Sequence, residues 1–462
     1  MNSPTYQTAA RGIRVLAVVT ALVLPFIFVA SLPADINKKI IFIMVDDLGY
    51  GDLGCYGQKV IKTPNIDRLA AEGIRFTSHY SGHTVCRPSR LSLLMGKHTG
   101  HTPISSNAGY VLKAGDVTLT GLLEKNEFLN VGWGKWALGG VGSTGHPNKH
   151  GFHYWFGYLD QGRAHNYYPE YLYRNSDKVT LPGNVLMEDP KYRGRVAKLD
   201  HRVTYSHSTM VDDALTQLVN VADRQFFMHL HLTIPHTNNE GGRAVGDGQE
   251  VPDYGIYKDK DWPNPEKGFA AMITLLDTDI GRIIKRIKDL KIEKDTLVIF
   301  TSDNGPHQEG GHKMEFFNSN GDLRGYKRDL YEGGIRVPFI AWWPGKIKPG
   351  TVSDHPSAFW DLMPTICELA GIDAPKDTDG ISFLPTLLGR TEKQKKHEYL
   401  YWQSGPKRAV RAGHWKANRI KANGPIELYD LNKDVGEKNN IAAKHPDVVK
   451  KMQAYMDDAV KK

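Results

Sequence analysis

Cys86 lies near the start of a stretch, Thr84 to Gly100, that reads T-V-C-R-P-S-R-L-S-L-L-M-G-K-H-T-G. Pro88 suits a first helical position and Ser89 suits a cap, and Leu91, Leu94 and Met95 then recur at helical spacing. The cysteine is therefore expected at the mouth of a helix, where unpaired backbone N–H groups and the nearby Arg87 and Arg90 create an anion-binding address. A low-pKa thiolate there could attack a phosphorus, carbon or sulfur centre. A phosphatase-type loop needs an arginine six positions after its cysteine, and Ser92 stands at that place. Two acidic pairs suggest a second chemistry. Asp46-Asp47 and Asp303-Asn304 each end a short apolar run, and adjacent carboxylates repel one another unless a cation lies between them. Three carboxylates and an amide oxygen make a hard, all-oxygen set that selects calcium or magnesium over zinc, and calcium suits an incomplete, irregular shell. His307, three residues beyond Asn304, is a candidate contact for a leaving group or a sugar.

The elements that must carry these residues are legible as runs and periods. Ile40 to Val45 and Thr296 to Phe300 are short apolar runs that end abruptly in polar residues, Phe226 to Ile234 is a similar run of mixed polarity, and helical patterns lie between them. This is the pattern of an α/β fold in which buried strands form a sheet covered by helices and chemistry gathers beyond the strands' carboxyl ends. Met272, Leu276, Ile280, Ile283, Ile287 and Leu290 predict a long helix whose basic face is solvated. Asn238 to Lys267, rich in Gly, Asp, Pro and Asn, reads as a surface excursion near the site. A helix is expected over Ala358 to Ala370. A smaller unit then begins near Glu398, with strands at Tyr399 to Trp402, Ala409 to Arg411 and Glu427 to Tyr429, closed by a helix from Pro446 to Val460. The segment from Gly151 to Pro169 supplies aromatic faces, together with Arg163 and His165, that suit either sugar rings or core packing.

At 462 residues, with 40% hydrophobic and 24% charged, the chain can bury a substantial core. Arg11 and Arg14 precede an apolar run from Val15 to Val29 and then the small residues Ala30 and Ser31, which reads as a signal peptide over residues 1–35. An uncleaved anchor is the rival reading, and Pro25 with the small residues favours cleavage, leaving a soluble, exported protein with no stable membrane insertion. Export implies the periplasm or the medium. Three cysteines, Cys55, Cys86 and Cys367, exclude a disulfide framework, and Cys55 and Cys367 read as separate small core residues. The net charge of +8 fits an anionic polymer as substrate, but no segment looks like a nucleic-acid module.

The run Cys86-Arg87-Pro88-Ser89-Arg90, followed by Leu93, Leu94, Met95, Gly96 and Lys97, resembles the signature of the type I sulfatases, in which the cysteine is converted to formylglycine. Met95 and Lys97 stand where that family usually has threonine and arginine; Lys97 lacks the planar fork, which loosens its hold on a neighbouring carboxylate. The resemblance extends from Ile40 to Glu427-Leu428-Tyr429-Asp430-Leu431. It implies an alkaline-phosphatase-like mixed sheet flanked by helices, a catalytic domain over residues 36–395 and a C-terminal sheet-and-helix subdomain over 396–462. It assigns one calcium ion to Asp46, Asp47, Asp303, Asn304 and the modified Cys86. Lys135, in Gly134-Lys135-Trp136-Ala137-Leu138-Gly139, matches a sulfate-binding lysine, and Lys327 matches a second. His236, after Thr233-Ile234-Pro235, matches the histidine near the leaving group. Ala137 replaces the family's usual histidine.

The activity implied is hydrolysis of a sulfate ester. Hydrated formylglycine attacks sulfur while the metal, Arg90, Lys135 and Lys327 draw charge from the sulfate oxygens. The alcohol leaves, protonated by His236 or Lys327, and the aldehyde re-forms as sulfate departs. A formylglycine-generating enzyme is the implied maturation partner. The segment with Ala137 is similar to those of bacterial arylsulfatase A-like polysaccharide sulfatases, so the expected substrate is a small aryl sulfate or a sulfated glycan, of galactose or N-acetylgalactosamine type. A phosphate or phosphonate monoester hydrolase of the same superfamily, and a non-catalytic sulfated-glycan binder, are the alternatives.

Overall fold

The structure, a computed structural model, describes Met1 and residues 38–461, so the expected leader lies outside the described residues. The described residues from Lys38 onward form one compact unit. Its centre is a ten-stranded mixed sheet. The strand Lys39–Asp46 lies in the middle, paired in parallel with Phe226–Pro235 on one side and Thr296–Ser302 on the other. Leu129–Lys135 continues the parallel set beyond Phe226–Pro235, and Phe339–Trp342 joins Thr296–Ser302 antiparallel.

Successive residues of a strand face opposite sides of a sheet, so a central strand covered on both sides must be apolar throughout. Ile41, Ile43 and Val45 enter one core cluster, whereas Ile40, Phe42 and Met44 enter the other. The long helix Asn264–Asp289 packs Met272, Leu276, Ile280, Ile283 and Ile287 into the first cluster. The helix Cys86–Met95 packs Leu91 and Leu94 into the second. Among the described residues no helix is long and apolar enough to cross a membrane. All three cysteines are free thiols, in keeping with the reading of Cys55 and Cys367 as separate residues.

A separate antiparallel sheet of four strands, Leu400–Ser404, Lys407–Ala412, Trp415–Arg419 and Glu427–Asp430, follows. Its third strand was missed in the sequence because Lys416, Asn418 and Arg419 interrupt any apolar pattern. On one face Val410 and Leu428 meet Met452 and Met456 of the terminal helix Pro446–Asp458. On the other, Leu400, Trp402 and Ala409 pack with Tyr80, Leu330, Ile335 and Trp360 of the main body. Buried Lys416 strengthens this contact, donating to Glu332 Oε1 at 2.9 Å and to the Leu330 carbonyl at 3.0 Å. The expected helix over Ala358 to Ala370 begins later, at Leu362, after a short strand Ser357–Ala358 and one 3₁₀ turn.

His101 ties the loop after the Cys86 helix to two distant segments. Its Nδ1 lies 2.8 Å from Asp379 Oδ1, and its Nε2 lies 3.0 Å from the Lys461 carbonyl. Two acceptors require both ring nitrogens to carry protons, and the Asp379 hydrogen bond raises the His101 pKa against partial burial. A raised folded pKa means that the stabilisation is complete below the unfolded value of about 6.5 and is lost as pH rises through the folded value. Denaturant midpoints of the wild type and His101→Gln should therefore differ more at about pH 6 than at about pH 8.5. A gap independent of pH would show that the clasp is not ionic.

Candidate active site

The carboxyl ends of four parallel strands bring the chemistry together. Asp46 ends the central strand; Lys135 ends Leu129–Lys135, His236 follows Phe226–Pro235, and Asp303 and Asn304 follow Thr296–Ser302. Neighbouring side chains on a regular strand would diverge. The register shifts between Val45 and Asp46, and Asp47 takes a left-handed φ of 67°, an irregularity that lets both carboxylates serve one site.

The Cys86 helix starts at Cys86 itself, with extended Val85 as its cap residue, so Ser89 lies inside the helix rather than at its cap. Ser89 instead fixes the site: its hydroxyl donates to the Asp303 carbonyl at 2.6 Å and accepts from the Gly82 N–H at 3.1 Å. Cys86 Sγ lies 3.3 Å from Asp46 Oδ1. Burial, reinforced by the Asp46 charge, pushes the Cys86 thiol up to about 12. The low-pKa thiolate considered for this position is thus contradicted, because desolvation and adjacent carboxylates oppose a second anion.

Three cations answer three carboxylates, and none of the six is more than 3% exposed. Arg90 grips Asp303 Oδ2 through Nε at 3.1 Å and a terminal nitrogen at 2.8 Å, and the same terminal nitrogen lies 3.3 Å from Asp46. Lys135 Nζ donates to Asp46 Oδ2 at 2.7 Å. Lys327 Nζ donates to Asp47 Oδ2 at 2.6 Å, and lies 3.1 Å from His236 Nε2 and 3.4 Å from Glu309. Burial opposes ionisation of Asp46, yet Lys135, His236 and Arg90 outweigh it and hold Asp46 well below the usual carboxylate range. Asp303 behaves oppositely. Burial and the Asp46 charge push it up to about 7.

The carboxylate and amide oxygens of this site fit a hard cation. One ligand atom from each of Asp46, Asp47, Cys86 and His236 lies within 4.8 Å of the others. Asn304 donates through Nδ2 to Asp47 Oδ1 at 2.7 Å, leaving its Oδ1 buried without a partner. An orphaned amide oxygen beside crowded carboxylates is the environment that an oxygen-seeking ion completes.

The other expected residues have different settings. His236 points Nδ1 at the Thr237 carbonyl at 2.6 Å, which directs its Nε2 lone pair toward Lys327. His165 stacks on His236 at 4.7 Å between ring centres and bonds Glu240 at 3.1 Å. His307 faces the Pro235 carbonyl with Nε2 at 3.2 Å and accepts the Glu309 N–H at Nδ1, and burial pushes its pKa down to about 4. With both nitrogens engaged by backbone, His307 supports the strand ends and has no ring nitrogen left for a leaving group or sugar. His229 and His231 form a buried pair at 2.6 Å, and His231 contacts the Lys135 carbonyl at 3.1 Å. The aromatic run is core: Phe152, Trp155, Phe156, Tyr158 and Tyr167 are buried. Lys97 instead reaches the exposed Asp377 at 2.7 Å.

The Lys327 loop is held from the C-terminal sheet. Arg324 donates to the Glu437 carbonyl at 2.8 Å, and Lys416 binds Leu330 and Glu332. Glu309 was missed in the sequence, although a carboxylate five residues after Asn304 in the same loop is a usable signal. Arg195 was missed too, and its signal is weaker, a lone Arg-Gly-Arg run in a loop. Beside this charged cluster opens a cleft of about 620 Å³ that Ala137 helps to line.

A buried cysteine at a helix start, with paired cations and carboxylates at the strand ends of a mixed sheet, is an arrangement that suits hydrolysis of tetrahedral anionic esters. Residues 38–372 match the Sulfatase family and residues 324–462 match the N-sulphoglucosamine sulphohydrolase C-terminal family, and the chain belongs to the sulfatase family. It is a sulfatase with the alkaline-phosphatase-like fold expected from the sequence. The chain is 32% identical to arylsulfatase A of Homo sapiens, over 93% of this chain and 90% of the relative. It is 31% identical to N-acetylgalactosamine-6-sulfatase of Canis lupus familiaris, over 89% of this chain and 76% of the relative. The crystal structure of Ps i-CgsB in complex with k-i-k-neocarrahexaose superposes with a TM-score of 0.77 at 25% identity, covering 91% of this chain and 92% of that one.

Proposed function

We propose that this sulfatase releases sulfate from a sulfated carbohydrate, using formylglycine formed from Cys86 and one calcium ion held by Asp46, Asp47, Asp303, Asn304 and position 86. The observation that carries the reading is the convergence of Cys86, three carboxylates and three cations at the strand ends. Relatives named for N-acetylgalactosamine, and a similar structure holding neocarrahexaose, support a carbohydrate of galactose or N-acetylgalactosamine type. Formylglycine would supply a hydroxyl nucleophile that can also expel sulfate by returning to the aldehyde, and calcium would draw charge from a sulfate oxygen.

The chain's own groups have distinct roles in this reading. Asp46 Oδ1, nearest to the side chain at position 86, orients it. Arg90, Lys135 and Lys327 are fixed in place before substrate arrives, so they stabilise sulfate charge without reorganising. The leaving-group proton resides on the Lys327–His236 pair: His236 accepts at Nε2, and Asp47 and its neighbours push the Lys327 pKa up against burial. His165 and Glu240 hold the His236 ring. At position 137 the left-handed backbone, φ 67°, and the small side chain leave room for a sugar next to the ester. Residues 1–35 act as an export signal, a formylglycine-generating enzyme acts on Cys86, and the boundary near residue 395 separates the catalytic region from a C-terminal subdomain that steadies the Lys327 loop.

Turnover of an aryl sulfate and the matching aryl phosphate, together with the intact mass of the Cys86 peptide from native-host protein, tests the reading. Sulfate turnover well above phosphate turnover, with Cys86 converted, is expected. A preference for phosphate, or an unmodified thiol in active protein, would overturn it.

A further inference from the structure

The cleft beside the catalytic cluster carries more positive charge than binding a single sulfate requires. Its lining includes Arg87, Arg163, Arg193 and Arg195, against one acidic residue, Asp160. Asp160 is already engaged, with Oδ1 accepting the N–H groups of Gly162 at 2.9 Å and Arg163 at 2.8 Å. Among the described residues, Arg195 pairs with Glu240 at 3.1 Å, whereas Arg87, Arg163 and Arg193 form no ion pair. Arg87 is held by neutral carbonyls, through Nε to Ala137 at 3.0 Å and a terminal nitrogen to Asn107 at 2.9 Å and Ala108 at 2.6 Å. Carbonyls fix its direction without neutralising its charge, and Asp160 is the carboxylate whose field reaches it. Arg163 lies over the Tyr171 ring at 4.4 Å, which fixes its plane while leaving its edge available to an anion.

Residues of the cleft wall adjoin the catalytic cluster. Arg87 follows Cys86 directly, Ala137 joins the cleft to the strand end that carries Lys135, and Arg195 connects through Glu240 and His165 to His236. Backbone makes room at the same edge. Gly139 adopts φ 153°, where an added Cβ would lie 2.4 Å from the Gly145 backbone, so only glycine lets this wall of the cleft close.

We infer that this cleft binds a second anionic group of the substrate, a sulfate ester or carboxylate on the sugar beside the one being desulfated, so that the preferred substrate is a polyanionic glycan. The inference rests on the sulfated-carbohydrate reading above. Arg163, stacked on the Tyr171 ring, is preorganised for bidentate contact with either anion, and Arg87, with Nε and one terminal nitrogen held by carbonyls, offers its other terminal nitrogen.

Calorimetric titration of the calcium-loaded Cys86→Ala protein separates the possibilities. Three probes are used: a singly sulfated N-acetylgalactosamine disaccharide, the same disaccharide with a second sulfate, and one with a single sulfate and a uronate carboxylate. At least one dianionic probe should bind about tenfold or more tightly than the first, the gain expected from a charge-assisted hydrogen bond. A gain for the disulfated probe alone identifies sulfate as the second anion, and a gain for the uronate probe alone identifies carboxylate. Adding Arg163→Met with Arg193→Met should reduce that advantage to about threefold or less, with Arg193→Met alone, at an exposed position, as the variant that keeps the fold. Equal binding of all three probes, or an advantage that survives both substitutions in folded protein, overturns the inference. Aryl sulfate turnover by the wild type is measured separately. If that turnover is present without any preference among the probes, the inference fails and the sulfatase reading stands.

Discussion

Sulfate release by Cys86→Ala should fall by on the order of 10⁴-fold or more, because no other group at the start of its helix can act as nucleophile. The loss should be chemical rather than structural. Cys86 Sγ contacts Asp46 alone among hydrogen-bonding groups, and the helix start depends on the backbone from Val85 onward. Removing one buried sulfur costs about 1 kcal/mol, so the melting temperature should stay within a few degrees of the wild type. Cys86→Ser should be nearly as inactive, since a serine hydroxyl can be sulfated but cannot release sulfate by forming an aldehyde. Aryl sulfate turnover and thermal unfolding of both variants check this. Near-normal turnover by either one would end the formylglycine mechanism.

Asp303→Asn is expected to weaken activity and stability together. The substitution leaves the buried Arg90 guanidinium without the carboxylate that it grips, and breaking such a pair costs about 3–5 kcal/mol; Asp46, 3.3 Å away, retains part of the attraction and favours the lower end. Activity should drop about a hundredfold at calcium concentrations that saturate the wild type, and recover in part as calcium is raised. Zinc should not substitute. A pH signature separates the two effects. In metal-stripped protein the Asp303 pKa is pushed up to about 7, above its unfolded value of about 3.9. Its favourable contribution is therefore complete below the unfolded value and is lost as pH rises through the folded one. Stripped wild type should lose stability between about pH 4 and pH 7, and that slope should flatten both in Asp303→Asn and on adding calcium. Full recovery with zinc alone would contradict the hard-ligand site.

Much of the catalytic cluster was legible because local rules placed it. A strand buried on both faces has to be a continuous apolar run, so the ends of Ile40 to Val45 and Thr296 to Phe300 marked Asp46-Asp47 and Asp303-Asn304. Helical periodicity likewise placed Cys86 at a helix start, although the cap was misjudged: Pro88 and Ser89 are good terminal residues, but tertiary bonds from Ser89 to Gly82 and Asp303 drew the helix back to Cys86. Lys135, His236 and Lys327 have no distinctive local pattern and were found only through the family resemblance. The segment from Asn238 to Lys267, read as a surface excursion, contains the helix Asn239–Val245 and buries Glu240, Glu250 and Glu266 against partners far away in sequence.

The sequence by itself determined the strand ends and the cysteine signature, since each depends on the backbone period or on neighbours within a few residues, and the class of reaction followed from the family that this signature resembles. Only the tertiary structure decided how these groups are used. It set each cation against one or two carboxylates, engaged both nitrogens of His307 with backbone, and turned the aromatic run into core. It also opened a cleft from Arg87, Ala137, Arg163 and Arg193, which lie on separate segments. A cleft is the space left when distant elements pack, and a buried group's charge depends on what packing brings beside it; neither has a local period to read.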